Sequence, residues 1–254
     1  MNRLRFSDLT GWFALLIVLA VLPAVLGSYG QGVMLQLFGW IALTASWVAF
    51  SGMTGYISLG HAVFYGLGGY VMALSWMTLP IWAILPLAAI VAALFALLVG
   101  LPALRVRGPY FVILTFGLAE FVKYIVVAIE SSLGMSGRLL LGGPDVMVLS
   151  YGMLGLAVLS VVLVMVLRHS RLGMALWSVR EDEVAATTLG VPVTKVKLIA
   201  FILSAGIPAM VGALTVMRST YFEPMQMFNP MTSFTIVTMA IIGGSDRPAG
   251  PVLG

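Results

Sequence analysis

Residues 81–104 read IWAILPLAAIVAALFALLVGLPAL, a run without a single charged side chain. A helix that crosses a bilayer needs about 20 consecutive apolar residues, because each residue advances the helix by about 1.5 Å. The run therefore predicts a transmembrane helix, and it makes an all-α protein the expected fold class.

Further apolar runs precede and follow this one, at 11–29, 32–51, 61–79, 109–129, 150–168, 198–218 and 232–243. We expect a polytopic transmembrane helical bundle with about eight hydrophobic segments, forming one domain over residues 1–254. The first run is longer than the apolar part of a signal peptide, so it predicts a retained helix. The last run is short and leads into Gly250–Gly254, which suggests that the natural protein continues.

Composition excludes several classes of protein. The chain is 61% hydrophobic and only 9% charged, whereas soluble domains carry about 25% charged residues. Its basic residues lie between apolar runs rather than among aromatic residues, so we expect no nucleic-acid partner. Cysteine is absent, and His61 and His169 are too far apart in sequence to predict a metal centre. No Gly-Lys dipeptide occurs, so the chain has no P-loop of its own.

The distribution of Lys and Arg predicts the orientation. Positively charged loop residues favour the cytoplasmic side of a membrane. With a cytoplasmic N-terminus, that side receives Arg3, Arg5, Arg105, Arg107, Arg168, Arg171, Arg180, Lys195, Lys197 and Arg247, and the opposite side receives Arg138 and Arg218. We therefore expect a multi-pass protein whose N-terminus is cytoplasmic.

The helical pattern breaks near residues 52–69, which are rich in glycine and hydroxyl residues. Irregular backbone at membrane depth is tolerated only where protein buries it or water reaches it. One interpretation is a broken element beside a solute path, with Ser58, His61 and Thr115 as path residues. The other is a short cytoplasmic turn before a glycine-packed helix, in which His61 has a capping or packing role.

Two charged residues fall inside the run at 109–129. Glu120 lies about 17 Å along a helix that starts near Pro109, and Lys123 lies on the same face three residues later. Charge at that depth is costly unless it is paired. A structural ion pair is the simpler interpretation, and a polar patch with Glu120 on the solute path is the alternative.

The longest polar segment predicted to be cytoplasmic is the loop 170–197. Ser178 and Glu181 have the spacing of a capping box, and the run Glu181, Asp182 and Glu183 would favour a helix N-terminus. Gly190 and Pro192 predict its end. We expect one short helix over 178–190, with an apolar face formed by Ala185, Ala186 and Leu189. Such a helix suits docking to a cytoplasmic partner or lying on lipid.

Within this loop, Ala185-Ala186, three residues and Gly190 resemble the coupling motif of ABC importer permeases. Val184 stands where that motif has glutamate, and Glu183 comes one position early. Several other runs are similar to the branched-chain amino acid permease family, and most closely to its M-type member. They are Gly55–Phe64, Arg107–Phe111, the run that begins Ser170–Gly173 and continues through Gly190, Lys197–Ala205 and Gly250–Gly254.

The resemblance implies a permease subunit that carries branched-chain or other hydrophobic amino acids across the bacterial inner membrane by alternating access. It implies two ATP-binding subunits, a second homologous permease and an external solute-binding protein as partners. Cofactors are not expected in this chain, because ATP is used by the partner subunits. The implied ATPase-coupling residues are Arg180, Glu181, Asp182, Glu183, Ala185, Ala186, Leu189 and Gly190.

Three other functions remain as alternatives. A permease of the same family carrying another small solute, such as urea, differs only in its cargo. An ion-coupled secondary transporter would use Glu120 and Lys123 and would need no ATPase. A membrane enzyme would need a convergent set of catalytic groups at membrane depth, which the sequence does not suggest.

Overall fold

The computed structural model describes residues 18–134, 137–140, 142–219, 221–244 and 250–253, and the statements below refer to these residues. Most of them are helical. The helices are α1 (residues 18–25), α2 (Ser28–Trp47), α3 (His61–Ser75), α4 (Ile81–Ala103), α5 (Pro109–Ser132), α6 (Val146–His169), α7 (Arg171–Glu181), α8 (Glu183–Thr188), α9 (Val193–Ser219), α10 (Pro224–Met227), α11 (Pro230–Gly243) and α12 (Gly250–Leu253). The predicted all-α fold is confirmed.

Five of these segments are long and apolar enough to cross a membrane. They are Ser28–Gly52, Ile81–Ala103, Pro109–Ser132, Val146–His169 and Val193–Ser219. The first of them joins α2 to a π-helical segment, Val48–Gly52. Of the predicted run 11–29, residues 11–17 lie outside the described residues. In the described part of that run, helix ends at residue 25, and α2 begins at Ser28.

Two predicted spans are shorter than expected. The run 61–79 gives α3, which ends at Ser75 after 15 residues, because residues 76–80 form a turn that ends at Pro80. The run 232–243 gives α11, which has 14 residues. At about 1.5 Å per residue these helices cover roughly 22 Å and 21 Å, less than the hydrocarbon core.

The centre of the bundle is the contact between α3 and α9, which pack backbone against backbone. A Cβ added to Gly68 would lie 1.8 Å from the Ala209 carbonyl oxygen, and one added to Gly212 would lie 1.9 Å from that of Tyr65. Only glycine fits at these two positions. Close approach through small residues is the usual way in which helices associate in lipid, where hydrophobic burial gives little driving force.

A cluster of phenylalanines fills the core beside this contact. Phe201 of α9 lies with its ring centroid 5.0 Å from that of Phe50 and 5.4 Å from that of Phe64. Both pairs are edge-to-face, the arrangement that aromatic rings prefer. The cluster ties the π-helical segment, α3 and α9 together.

The only sheet in the described part of the chain has two short strands. β1 (Arg138–Leu139) pairs antiparallel with β2 (Tyr221–Phe222), with Arg138 opposite Phe222. The sheet joins the α5–α6 and α9–α10 connections at one end of the bundle. The other end carries α7 and α8, and we call it the α7–α8 end.

Candidate functional site

The loop 170–197 folds as two helices rather than one. Ser170 caps α7 by accepting a hydrogen bond from the backbone N–H of Gly173 (3.1 Å). The predicted capping box is wrong: Ser178 lies inside α7, where its hydroxyl donates to the Ala175 carbonyl (2.8 Å). The chain breaks instead at Asp182, whose carboxylate accepts from the N–H groups of Val184 and Ala185 (2.7 and 3.0 Å).

The predicted end of the loop helix is confirmed. Gly190 follows α8 with φ of 82°, in the left-handed region that glycine adopts without strain. The Val191 N–H donates to the Ala186 carbonyl (3.0 Å), which satisfies one of the last carbonyls of the helix.

The predicted apolar face of α8 divides into two parts. Ala186 is buried against Val179 and Val193, so it holds α8 onto the bundle. Ala185 is exposed, and Leu189 and Val184 expose 82% and 60% of their surface. Leu189, Ala185 and Val184 therefore form a small apolar surface, with exposed Glu181 and Asp182 beside it.

Glu183, the first residue of α8, faces the bundle. Its Oε1 lies 3.1 Å from Nζ of Lys197 on α9 and 3.4 Å from Nε of Arg107 in the α4–α5 connection. Its Oε2 accepts a short hydrogen bond from the Tyr56 hydroxyl. Lys197, which is almost fully buried, also donates to the Leu104 carbonyl (3.2 Å). We call Glu183, Lys197, Tyr56 and Arg107 the Glu183 network.

This network sets the charge state of its carboxylate. Burial raises the pKa of Glu183, but hydrogen bonds from Tyr56 and Lys197, together with the positive charges of Lys197 and Arg107, outweigh burial and hold the pKa below its ordinary value. Burial and the neighbouring carboxylate raise the pKa of the Tyr56 hydroxyl, which therefore stays a donor. Glu183 is thus a paired carboxylate rather than a free one.

A second contact joins α7 to the glycine-rich break. Nη1 of Arg180 donates to the Gly52 carbonyl (2.8 Å), and the guanidinium lies 5.0 Å from the Trp177 ring centroid. Gly55 has φ of 74°, and a Cβ there would lie 3.2 Å from Cγ of Arg180. Glycine at this position lets the chain turn directly under α7.

The break itself is real: residues 55–60 are irregular between two helical segments, and Ser58, Leu59 and Gly60 are buried. The Trp47 indole donates to the Ser58 carbonyl (2.8 Å), and the Leu59 N–H donates to Thr115 Oγ1 of α5 (3.2 Å). Side chains thus satisfy backbone groups that a continuous helix would have paired. Since α3 is also packed through its glycines, the structure contains features of both interpretations of this region.

Ser58 and Thr115, predicted together as path residues, do lie together. A Cβ on Gly60 would be 3.6 Å from Ser58 Oγ and 3.7 Å from Thr115 Cβ. His61 begins α3, is fully buried and packs edge-to-face on Phe64. Neither of its ring nitrogens has a hydrogen-bond partner among the described residues.

Glu120 and Lys123 form the expected ion pair on α5, at 2.5 Å between Oε2 and Nζ. Both side chains are mostly buried. Glu120 lies five residues beyond Thr115 on the same helix.

Sequence reasoning missed the partners of Glu183 and a second buried carboxylate. Glu130, near the end of α5, accepts hydrogen bonds at Oε1 from the Tyr70 hydroxyl and from Arg138 (both 2.9 Å). The sequence analysis assigns Lys197 only to the cytoplasmic charges and to the run Lys197–Ala205, and Tyr56 only to the run Gly55–Phe64. Tyr56 and Lys197 lie on different elements from Glu183, so no local pattern marks these contacts.

The fold and these contacts define a class: a multi-pass membrane protein in which a short surface helix is hydrogen-bonded to the irregular segment between two helices. The chain belongs to the family described as branched-chain amino acid transport system / permease component, which matches residues 32–254. This confirms the resemblance seen in the sequence. The family consists of transport subunits rather than enzymes.

Two curated relatives are similar to this chain. It is 28% identical over 227 residues to the high-affinity branched-chain amino acid transport system permease protein LivM of Salmonella typhimurium strain LT2. It is equally similar, at 28% over 227 residues, to the protein of the same name from Escherichia coli strain K12. Each alignment covers 76% of this chain and 53% of the relative, so the chain spans about half the length of these proteins. No solved structure matches it.

Proposed function

We propose that the protein is the membrane-spanning subunit of an ABC importer for branched-chain or other hydrophobic amino acids in the bacterial inner membrane. Two separate ATP-binding subunits drive alternating access, a second homologous permease completes the path, and an external binding protein delivers the solute. The observation that carries this proposal is the Glu183 network. It bonds one side of α8 to the break in the bundle, while the other side of α8 remains exposed.

The exposed side of α8 is the surface on which we place the ATP-binding subunit. Leu189, Ala185 and Val184 supply apolar contact area, and Glu181 and Asp182 supply negative charge. An acidic surface is unfavourable against anionic lipid headgroups, so it suits a protein partner with basic groups better than a membrane surface. We therefore propose that the α7–α8 end lies in the cytoplasm, which agrees with the orientation that the positions of the Lys and Arg residues predict.

The motion of α8 reaches the bundle through residues described above. Glu183 is hydrogen-bonded to Tyr56, and Arg180 is hydrogen-bonded to the Gly52 carbonyl. A movement of α7 and α8 is therefore transmitted to the segment that contains Ser58 and leads into His61. The solute path runs past Ser58, His61 and Thr115, with Glu120 further along α5. The unpaired ring nitrogens of His61 support this position, because a buried polar group without a partner is costly unless water or solute pairs with it.

The test is made on the full-length protein with its partners. Leu189→Asp places a charge on the exposed side of α8, while Met174→Asp makes the same change at a position 64% exposed on α7. We expect Leu189→Asp to reduce the amount of co-purifying ATP-binding subunits at least tenfold. ATP-driven leucine uptake should fall at least tenfold as well. Met174→Asp should retain both. Full assembly and uptake in the Leu189 variant would contradict the docking assignment.

A separate purification tests the class of transporter. Mild-detergent purification of the wild type should recover ATP-binding subunits, a second permease and, with added leucine, the binding protein. Recovery of the chain alone, with leucine uptake driven by an ion gradient in liposomes, would replace this proposal with an ion-coupled transporter.

A further inference from the structure

A cavity lies at the end of the bundle away from α7 and α8, between α2, α3, α6, α9 and α11. Its volume is about 140 Å³, which suits a small solute rather than a drug-sized ligand. Its lining is partly apolar and partly polar. The lining residues on which the argument rests are the apolar Trp40, Met153 and Val211 and the polar Gln36, Thr215 and Arg218.

Arg218 is the one charged residue in this lining. It stands near the end of α9, and its guanidinium forms no hydrogen bond or ion pair within the described ranges. By contrast, Arg138, at the same end of the bundle, is paired with Glu130. An arginine that faces a partly apolar cavity without a carboxylate beside it is suited to bind an anion from outside the chain.

Glycines on α2 make room for this guanidinium. A Cβ on Gly32 would lie 3.1 Å from Nη2 of Arg218, a tight contact that the guanidinium would have to relieve by moving. Gly39, two turns further along α2, lines the cavity opposite Val211, at 3.7 Å from a Cβ built there. The two glycines therefore keep α2 from filling the cavity and leave Arg218 accessible from it.

We propose that this cavity binds an α-amino acid with an apolar side chain, with its carboxylate on Arg218 and its side chain against Trp40, Met153 and Val211. The planar guanidinium can donate two parallel hydrogen bonds to a carboxylate. Gln36 and Thr215 supply neutral oxygen acceptors for the ammonium group. The inference rests on the proposed import of amino acids, and it names the first site at which the permease itself holds the solute.

The site is tested by measuring how an amino acid binds directly to the full-length complex in nanodiscs, in the absence of the external solute-binding protein. The probe is tritiated L-leucine, displaced either by L-leucine or by L-leucinol, which lacks the carboxylate. We expect saturable binding in the wild type that L-leucine displaces and L-leucinol does not. Arg218→Gln should weaken binding at least tenfold and Arg218→Lys less. Glu223→Gln changes an exposed charge outside the cavity, so its binding should match the wild type.

Three results would overturn the site: no leucine binding in the wild type, equal displacement by leucinol, or unchanged affinity in Arg218→Gln. The last result is the one expected if Arg218 serves only to contact lipid phosphate. Uptake separates this inference from the function on which it rests. Wild-type binding without ATP-driven uptake would remove the proposed function and leave the site, while equal uptake by wild type and Arg218→Gln would remove the site alone.

Discussion

The carboxylate of Glu183 on α8 lies 3.1 Å from the ammonium group of Lys197 on α9, and the Lys197 side chain is 1% exposed. A buried cation of this kind is tolerated because its charge is balanced and its protons are donated to Glu183, Tyr56 and Leu104. The pair ties the surface helix to a membrane-spanning helix at a point 14 residues away in sequence.

Replacing one partner should cost more than replacing both. Lys197→Met leaves Glu183 with only Arg107 as a counter-charge, and breaking a buried pair costs on the order of 3 kcal/mol. We expect a lower thermal unfolding midpoint for the full-length protein in detergent. The double variant Lys197→Met with Glu183→Gln should recover part of the loss. Additive losses in the double-mutant cycle would show that the two residues are not coupled.

The Tyr56 hydroxyl should matter more for the coupling of ATP hydrolysis to uptake than for insertion of the protein into the membrane. Tyr56→Phe removes a hydrogen bond to a charged group, worth about 1.5–3 kcal/mol. We expect ATP-driven uptake to fall about tenfold while the amount of protein in the membrane stays the same. Tyr110→Phe, at an exposed tyrosine of the same end, is the control. Equal uptake by the two variants would exclude a role for the Tyr56–Glu183 contact.

The lowered pKa of Glu183 predicts the direction of a pH effect. Because its pKa is below the ordinary value of 4.5 in the folded protein, the unfolded chain binds the proton more tightly. The stabilisation is complete above about pH 4.5 and is lost as the pH falls through the lowered pKa. The unfolding midpoint of the wild type should therefore approach that of Glu183→Gln between pH 5 and pH 3. A constant difference across that range would contradict the assignment.

Gly68 should not tolerate even one added methyl group. The Cβ of Gly68→Ala would overlap the Ala209 carbonyl, and overpacking typically costs about 1–3 kcal/mol. Gly155→Ala is the matched control, since a Cβ on Gly155, which lies within α6, meets nothing within 4 Å. We expect a clear loss of thermal stability for Gly68→Ala and none for Gly155→Ala. Similar midpoints would mean that α3 and α9 separate easily.

His61 should affect stability and transport in opposite directions. His61→Leu removes two ring nitrogens that lack partners, so the unfolding midpoint should stay the same or rise. If solute passes this residue, leucine uptake should nevertheless fall by at least tenfold. Unchanged uptake would indicate that His61 is only a packing residue. Phe64→Leu removes the ring contact between His61 and Phe64 without changing the histidine, so it is the control for loss of that contact.

The helices were predictable because their apolar runs are long and their ends carry glycine, proline or charge. The run 81–104 matches α4 to one residue, and Gly190 ends the α8 region as expected. The start of the loop helix was missed, because Ser178 and Asp182 both offer a capping side chain and only tertiary packing of α7 decides between them. The Glu183 network and the cavity at Arg218 depend on which helices become neighbours, and no local spacing contains that information.

Helix α9 carries Lys197 near one end and Arg218 near the other, about 31 Å apart along its axis at 1.5 Å per residue. Its one internal proline, Pro208, stands between them, and its middle is fixed to α3 through backbone contacts. If a solute occupies the cavity and a partner docks on α8, both therefore act on the same helix. By reciprocity, any strengthening of solute binding by nucleotide-driven docking must be matched by an equal strengthening of docking by the solute.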